Sequence, residues 1–246
     1  MITVIIPTYN EEETLESLLR QLRAQIGDGE IIVADGSSTD ATRALAKPFA
    51  HIVVTEPRRG RQLNRAASMA QGDVLCFLHA DVRLADNALT AVATALRDPE
   101  VVGGTFRLCF GGPGLTARVL TLMVRGLRRL GFIYGDQGIF VRRRVFERLG
   151  GFRDWPLLED YEFGRRLLKA GKTACLPDRL EVSPRRWEKG ADGRGRLWRT
   201  LAAWFFIMAF YFAGVAPERL ARWYPPIRGP KRAAPPVFRA TQPRVN

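Results

Sequence analysis

The sequence is poor in cysteine and lacks the common phosphate-binding loops. Its three cysteines, Cys76, Cys109 and Cys175, are far apart, and each lies in an apolar or strand-like run. This pattern predicts reduced, buried thiols rather than a disulfide framework or a metal site. No Gly-x-Gly-x-x-Gly follows the first predicted strand and no Gly-Lys-Ser loop is present. Proteins that bind dinucleotides or ATP through such loops are therefore disfavoured.

Acidic residues are also in short supply relative to basic ones. There are 38 Lys and Arg against 25 Asp and Glu, which gives a net charge of +13. Such an excess predicts an anionic partner: nucleic acid, anionic lipid head groups or a phosphorylated substrate. Zinc-finger spacing, RNA-binding signatures and aromatic-interleaved basic repeats are missing, so no nucleic acid partner is expected.

The first seven residues lead directly into an apolar run, with no basic segment and no cleavage site. No secretory signal is therefore expected, and the predicted location is cytoplasmic, with the inner face of the cell membrane as a further possibility.

The length of 246 residues and the 46% of apolar residues suit one α/β domain with an appendage. Strands are predicted over 2–6, 30–34, 51–55 and 74–78, alternating with helical patterns over 11–22, 41–46, 62–70 and 86–96. This alternation predicts a mostly parallel sheet flanked by helices. Beyond residue 101 the order is irregular, with strands predicted over 103–110, 138–141 and 173–176 and helices over 115–130, 144–149 and 158–169. The predicted domain covers 1–190, and an apolar helix with a Pro/Arg-rich tail covers 191–246.

Two aspartates follow predicted strands, at the edge where parallel sheets bind ligands. Asp35 is interpreted as an acceptor for a base N–H or a ribose hydroxyl, or else as a turn former. Asp81 ends an apolar run, where a carboxylate is costly unless it is compensated. A divalent cation that also binds phosphate oxygens would compensate it. His79 would project to the same side of an extended strand and is either a second ligand, favouring Mn²⁺ over Mg²⁺, or a hydrogen-bond donor.

Two further segments carry groups suited to catalysis. Asp160 lies at the start of a predicted helix, where it either interacts with the helix dipole or acts as a general base towards an acceptor hydroxyl. Arg185 and Arg186 precede Trp187, and they either belong to a solvated basic loop or offset the charge of a departing diphosphate.

In this order, the segments resemble the family 2 glycosyltransferases. The resemblance runs from residue 2 to about residue 187 and rests on VIIPTYNEE (4–12), ADGSSTD (34–40), LHAD (78–81), LED (158–160) and RW (186–187). It implies the GT-A fold, a nucleotide-sugar donor, a hydroxyl acceptor and inverting sugar transfer. A closer similarity is to a small bacterial branch of this family, of which some members are labelled carotenoid-acid glycosyltransferases.

The resemblance also implies roles for individual residues. Asp160 is the predicted catalytic base, and Arg186 is predicted to stabilise the departing phosphates. A divalent cation, Mn²⁺ or Mg²⁺, is assigned to Asp81 with His79. The predicted donor-binding residues are Pro7, Thr8, Tyr9, Glu11, Asp35, Arg61, Asn64 and Asp81. The predicted acceptor-side residues are Gly135, Asp136, Gln137, Glu159 and Trp187.

Two positions depart from the family pattern. His79 replaces the first Asp of the Asp-x-Asp motif, and Ser183 replaces the Gln of Gln-x-x-Arg-Trp, which argues against a processive polymerase. The missing carboxylate leaves an alternative open: a membrane-surface binding or scaffold protein with a degenerate transferase site. A nucleotidyltransferase would need a Gly-rich triphosphate loop near the N-terminus, and residues 7–13 offer none.

Two apolar segments bear on partners. Residues 200–216 carry no charge but are short for a membrane span, so they pack as a domain helix, lie in the membrane interface or pair in a homodimer. Residues 115–130 intersperse apolar residues with arginines, as basic amphipathic helices at anionic membranes do. Peripheral membrane contact and a lipid-like acceptor are the corresponding hypotheses.

Overall fold

Eight strands form a single sheet in the computed structural model, which describes residues 1–110, 115–182 and 193–223. The spatial order is β3-β2-β1-β4-β7-β6-β8-β5. The strands in chain order are β1 (Ile2–Thr8), β2 (Glu30–Asp35), β3 (His51–Val54), β4 (Val74–Phe77), β5 (Val82–Leu84), β6 (Val101–Phe110), β7 (Ile139–Arg142) and β8 (Lys172–Val182).

The sheet is parallel in its first half and mixed in its second. Strands β3, β2, β1 and β4 are parallel neighbours, as the sequence predicts. Strand β7 then runs antiparallel to both β4 and β6, and β5 runs antiparallel to β8. The α/β class is thus confirmed, but the second half departs from a mostly parallel sheet because β7 inserts between β4 and β6.

Helices cover both faces of this sheet. They are α1 (Leu15–Arg23), α2 (Thr42–Ala46), α3 (Arg59–Met69), α4 (Ala88–Ala95), α5 (Leu115–Arg129), α6 (Arg143–Arg148), α7 (Glu159–Ala170), α8 (Gly193–Phe212) and α9 (Pro217–Trp223), with a 3₁₀ turn at Gly135–Gln137. Helix α1 begins four residues later than predicted, because the backbone N–H of Glu11 donates to Thr42 Oγ1 (2.8 Å) and that of Glu12 to Asp40 Oδ2 (3.3 Å). These two N–H groups hold the segment against the loop after β2 instead of starting a helix.

The core holds the parallel half of the sheet in place. Successive residues of β1 and β2 alternate between the two faces, and both faces are buried. One face packs against four leucines of α1, spaced as one side of a helix: Leu15, Leu18, Leu19 and Leu22. Each of these leucines is at most 1% exposed, so each contributes about 1.5–3 kcal/mol of hydrophobic stabilisation. The carboxyl ends of these strands are therefore firmly placed.

The start of α7 packs against α8. Leu158, 2% exposed, forms an apolar cluster with Tyr161, Ile207 and Leu220. Its φ of 67° lies in the left-handed region, which costs a residue with a Cβ about 1–2 kcal/mol. Burial in this cluster offsets that cost. The division of the chain at residue 190 stays a prediction.

Over residues 201–212, helix α8 has a buried and an exposed side. Ile207 is 5% exposed, whereas Phe205 is 70% exposed. Among the described residues, no helix is both long enough and apolar enough to cross a membrane.

Candidate functional site

The end of β2 holds the first predicted site residue, Asp35, in full burial. The register pairs it with Thr8 on β1, and the Thr8 hydroxyl donates to Asp35 Oδ1 (3.0 Å). The hydroxyl of Ser38 donates to the same oxygen (2.5 Å), and its backbone N–H donates to Oδ2 (2.9 Å). Arg43 Nε lies 3.8 Å from Oδ2. Asp35 therefore joins the end of β1 to the loop after β2, a region called the Asp35 rim below. Its burial is tolerated because its carboxylate oxygens are hydrogen-bonded.

The predicted donor loop after β1 is held against the Asp35 loop. Asn10 adopts a φ of 54°, and its Oδ1 accepts from the N–H of Thr39 (2.9 Å) while its own N–H donates to Ser38 Oγ (2.9 Å). Glu11 accepts from the Thr14 hydroxyl (3.0 Å). Pro7 lines a cleft at the end of β1, and Tyr9, the first residue after β1, is half-buried.

Arg59, which the sequence did not single out, lies at the centre of that cleft. Its Nη2 is 2.7 Å from His79 Nε2 and 3.2 Å from Asp160 Oδ2, and its Nε is 3.3 Å from Glu159 Oε1. A guanidinium only donates hydrogen bonds, so His79 Nε2 is the acceptor and carries no proton. The guanidinium of Arg59 thus links His79, which follows β4, to the first two residues of α7, Glu159 and Asp160.

Asp160 lies next to Gly135 in this cleft. The backbone N–H of Gly135 donates to Asp160 Oδ2 (2.8 Å). A Cβ on residue 135 would overlap Arg59 Nη2 and lie 2.8 Å from Asp160 Oδ2. Only glycine lets the backbone approach the carboxylate this closely.

Gln137 is 1% exposed, and neither its Nε2 nor its Oε1 has a hydrogen-bond partner among the described residues. Buried side-chain amides are usually hydrogen-bonded, so the Gln137 amide is a candidate for binding a polar group in the cleft. Asp136, half-buried next to it, acts on Arg59 through its charge.

The cluster perturbs two ionisable groups. Burial raises the pKa of Glu159 to about 7, Arg59 opposes this rise, and the neighbouring Asp160 adds to it. For Arg59, burial disfavours the charge, but Glu159, Asp160 and Asp136 together raise its pKa. Perturbed groups that lie together in a cleft are typical of functional sites.

Two predicted donor residues lie beside this cleft instead of in it. Arg61 is ion-paired to Asp154 (2.7 Å) and Glu56 (2.8 Å) on the surface. Asn64 donates through Nδ2 to the carbonyl of Phe152 (2.8 Å) and accepts from its N–H (2.9 Å). Both residues hold the 150–154 loop against α3, and their roles in donor binding stay predictions.

The prediction that His79 and Asp81 project to the same side of one extended strand is wrong. Strand β4 ends at Phe77, and Ala80 and Asp81 form a turn, so His79 and Asp81 do not project from one extended strand. The strand ends early because the backbone turns to start β5 at Val82.

The described residues contain no group of three or more His, Cys, Asp or Glu side chains placed to hold a metal ion. Half-buried Asp81 has no hydrogen bond or ion pair within this part of the chain. A single carboxylate fits a cation that takes its remaining ligands from phosphate and water.

Arg186 and Trp187, the predicted phosphate-clamping and acceptor-side residues, lie outside the described residues, as does Ser183.

Comparison with known proteins identifies the family of this chain. The family model described as Glycosyl transferase family 2 matches residues 3–160, more than half of the chain. Uncharacterized protein MT1568 of Mycobacterium tuberculosis is 30% identical over 74% of this chain and 66% of its own length. Probable glycosyltransferase YdaM of Bacillus subtilis is 26% identical over 82% of this chain and 54% of its own. The chain thus spans about half to two thirds of the length of these relatives.

A solved structure supports the fold. The mannosyltransferase PcManGT from Pyrobaculum calidifontis, in complex with GDP-Man and Mn²⁺, is 25% identical, with a TM-score of 0.64 over 88% of this chain and 66% of that one. The mixed sheet flanked by helices is therefore the GT-A fold that the sequence resemblance implied. By its matched residues and by its fold, the chain belongs to glycosyltransferase family 2.

Proposed function

We propose that the protein is an inverting glycosyltransferase that moves a sugar from a nucleotide-sugar donor to an acceptor hydroxyl. The observation that carries this proposal is the carboxylate of Asp160, which lies at the carboxyl edge of the sheet and is held by Gly135 and Arg59. That edge is where parallel sheets bind nucleotides. GDP-Man and Mn²⁺ in the PcManGT complex support a donor and a divalent cation of the same kind.

In this proposal, Asp160 acts as the base. Its Oδ2 takes the proton of the acceptor hydroxyl while the hydroxyl oxygen bonds to the anomeric carbon of the sugar. The bond from that carbon to the diphosphate oxygen breaks on the opposite face, and the electron pair leaves with the nucleoside diphosphate. One displacement inverts the configuration at the anomeric carbon.

The donor is proposed to lie along the ends of β1, β2 and β4. Its base and ribose would contact the rim around Asp35, Thr8, Pro7 and Tyr9, with Glu11 holding the loop in shape. Asp81 would hold the divalent cation, which supplies positive charge to the departing diphosphate. Because His79 accepts from Arg59, His79 joins the cation only if Arg59 turns towards the phosphates.

The remaining residues complete the two sides of the cleft. Arg186 is proposed to offset phosphate charge, and Arg61 would join it only after leaving Asp154 and Glu56. Asn64 positions the loop under the donor. Gln137 and Asp136, beside the base, are proposed to bind acceptor hydroxyls together with Glu159 and Trp187, because a sugar or alcohol would satisfy the buried amide of Gln137.

Thermal unfolding with a panel of nucleotide-sugars tests the donor assignment. A donor at 100 times its Kd stabilises the folded state by about 2.7 kcal/mol, which corresponds to a Tm increase of about 5–10 °C for a chain of this size. The increase is expected to be larger with Mn²⁺ or Mg²⁺ than with EDTA. Asp81→Asn should remove that metal-dependent part, whereas the control Asp98→Asn, which breaks an ion pair to Lys172, should keep it. If no nucleotide-sugar or nucleoside diphosphate shifts Tm, the scaffold alternative is favoured.

We further propose peripheral contact with an anionic membrane, such as the inner face of the cell membrane. Helix α5 exposes apolar side chains among exposed arginines: Val119, Leu122 and Met123 with Arg118, Arg125 and Arg129. Helix α8 exposes Phe205, Phe206, Phe210 and Phe212. Exposed apolar side chains interspersed with cations match the interface of an anionic bilayer, and the acceptor would then be lipid-like.

Vesicle sedimentation tests this contact. Phe205→Ser/Phe206→Ser is expected to weaken binding to vesicles containing phosphatidylglycerol at least about tenfold, because two exposed phenyl groups that enter the bilayer contribute several kcal/mol to binding. The matched control is Val54→Ser/Met69→Ser, which removes two similarly exposed apolar side chains from β3 and α3 and should bind as the wild type does. Failure of the wild type to sediment, together with a dimer that the phenylalanine pair dissociates, would assign α8 to a homodimer interface instead.

A further inference from the structure

A second concave site lies on the surface of α7, apart from the cleft at Asp160. It is a cavity of about 460 Å³ lined by Arg153, Trp155, Glu162, Arg165, Arg166, Lys169 and Tyr211. The side chains come from α7, from the loop before it and from α8. In the described part of the chain, no residue lines both this cavity and the cleft that contains Asp160 and Arg59.

The cavity has an excess of positive charge. Four cationic side chains surround one carboxylate, that of Glu162. Arg166 forms the close ion pair with Glu162 (2.5 Å) and also donates to the carbonyls of Leu149 and Gly151, and Arg153 Nε lies 3.7 Å from the same carboxylate. Glu162 is thus already shared by two arginines, and Arg166 serves to hold the 149–151 turn.

The two remaining cations are available to a ligand. Arg165 and Lys169 lie four residues apart on α7 and therefore point to the same side of the helix. Neither has a hydrogen bond or an ion pair among the described residues, and both are exposed. Two like charges held side by side repel each other, and an anion between them would relieve that repulsion.

The walls of the cavity are aromatic. The rings of Trp155 and Tyr211 meet edge to face, with centroids 6.3 Å apart. Cations combined with an aromatic wall suit a phosphate ester better than a bare inorganic ion, because the wall gives the organic part of the ester an apolar contact.

We propose that this cavity binds the phosphate group of an organic phosphate, independently of the donor diphosphate in the cleft. Arg165 would bind two phosphate oxygens in the plane of its guanidinium, and Lys169 would add a point charge. Tyr211 belongs to the helix that exposes Phe205 and Phe210, so the phosphate can come from a lipid head group or from a soluble phosphorylated compound.

The test compares two double variants that lose the same charge. Arg165→Gln/Lys169→Gln removes the two available cations of the cavity. Arg83→Gln/Arg97→Gln removes two exposed arginines that do not line it. Each protein is titrated with glycerol 3-phosphate in EDTA by calorimetry and sedimented with vesicles containing phosphatidylglycerol.

At least one ligand is expected to bind the wild type and the Arg83/Arg97 control within twofold of each other, and to bind the cavity variant at least tenfold more weakly. An effect on glycerol 3-phosphate alone assigns a soluble ligand, and an effect on vesicles, with or without one on glycerol 3-phosphate, assigns a lipid head group. The proposal is overturned if neither ligand binds, or if both variants lose affinity equally, since the loss would then reflect the total charge. The donor-induced Tm increase of the cavity variant should equal that of the wild type, so this result is independent of the proposed sugar transfer.

Discussion

Asp160→Asn is expected to lower the rate of sugar transfer by about 10²–10⁴-fold while preserving donor binding. General base catalysis contributes a factor of this size, and an amide cannot take the proton of the acceptor hydroxyl. The amide oxygen can still accept from the Gly135 N–H, as Oδ2 does at 2.8 Å, so the fold should persist. Initial rates with the donor found by thermal shift, at saturating acceptor, measure the effect.

Asp98→Asn is the matched control for this substitution. Asp98 is a carboxylate that pairs with the exposed Lys172, and its loss should change the rate less than twofold. If Asp160→Asn transferred sugar at the wild-type rate and still bound the donor, the assignment of Asp160 as the base would be wrong. A matching loss of donor-induced stabilisation would show instead that Asp160 acts in binding.

Arg59→Gln is expected to destabilise the protein by about 3–5 kcal/mol at pH 8, because it leaves two largely buried carboxylates without their cation. The side chains of Glu159 and Asp160 are only 5% and 13% exposed, and Arg59 contacts both. Without Arg59, two neighbouring carboxylates would stay in a poorly solvated site. Urea unfolding at pH 5 and pH 8 measures the free energy of unfolding.

The loss of unfolding free energy caused by Arg59→Gln should be smaller at pH 5 than at pH 8, because Glu159 is protonated at the lower pH. The pKa of Glu159 is raised from its ordinary value of 4.5 to about 7 in the folded protein, so the folded state binds the proton more tightly than the unfolded state does. This group's contribution to stability is therefore fully present below about pH 4.5 and is lost as the pH rises through 7. Because Arg59 lowers the pKa of Glu159, its removal raises that pKa further. The stability contributed by protonated Glu159 is then lost at a higher pH.

Arg58→Gln is the control for charge and location. Arg58 precedes Arg59, but it pairs with the exposed Asp154, and exposed pairs contribute at most about 1 kcal/mol. Adding Glu159→Gln to Arg59→Gln should restore part of the stability at pH 8, since one buried charge is removed. Equal losses in Arg58→Gln and Arg59→Gln would contradict the central position of Arg59.

The sequence predicted the parallel half of the fold because its signals are local. Apolar runs alternate with helical spacing, and the aspartates that follow the runs lie at the carboxyl edge, as Asp35 does. The position of β7 could not be predicted, since the partner of a strand is set by long-range packing and not by its own residues. The family resemblance implied only that Gly135 lies on the acceptor side of the cleft. Its hydrogen bond to Asp160 joins residues 25 positions apart, and the local sequence pattern does not predict such a contact.

Arg59 was missed for a geometric reason. Three arginines occur at positions 58, 59 and 61, and residue type does not distinguish them. Their positions around the axis of α3 distinguish them. Arg59 lies one turn before Leu63, and both residues line the cleft. Arg58 and Arg61 instead pair with Asp154. A helical projection that extended the predicted helix back by three residues would have separated them. His79 was misplaced because strand ends are poorly marked in sequence.

The strained backbone at Leu158 has a consequence for protein engineering. The residue that precedes the helix of Asp160 keeps its left-handed conformation while it is packed against Ile207 and Leu220, which lie beyond the last of the family motifs. Trimming the chain to the segment that resembles the family would remove these contacts. A shortened version of the protein should therefore retain both α8 and α9.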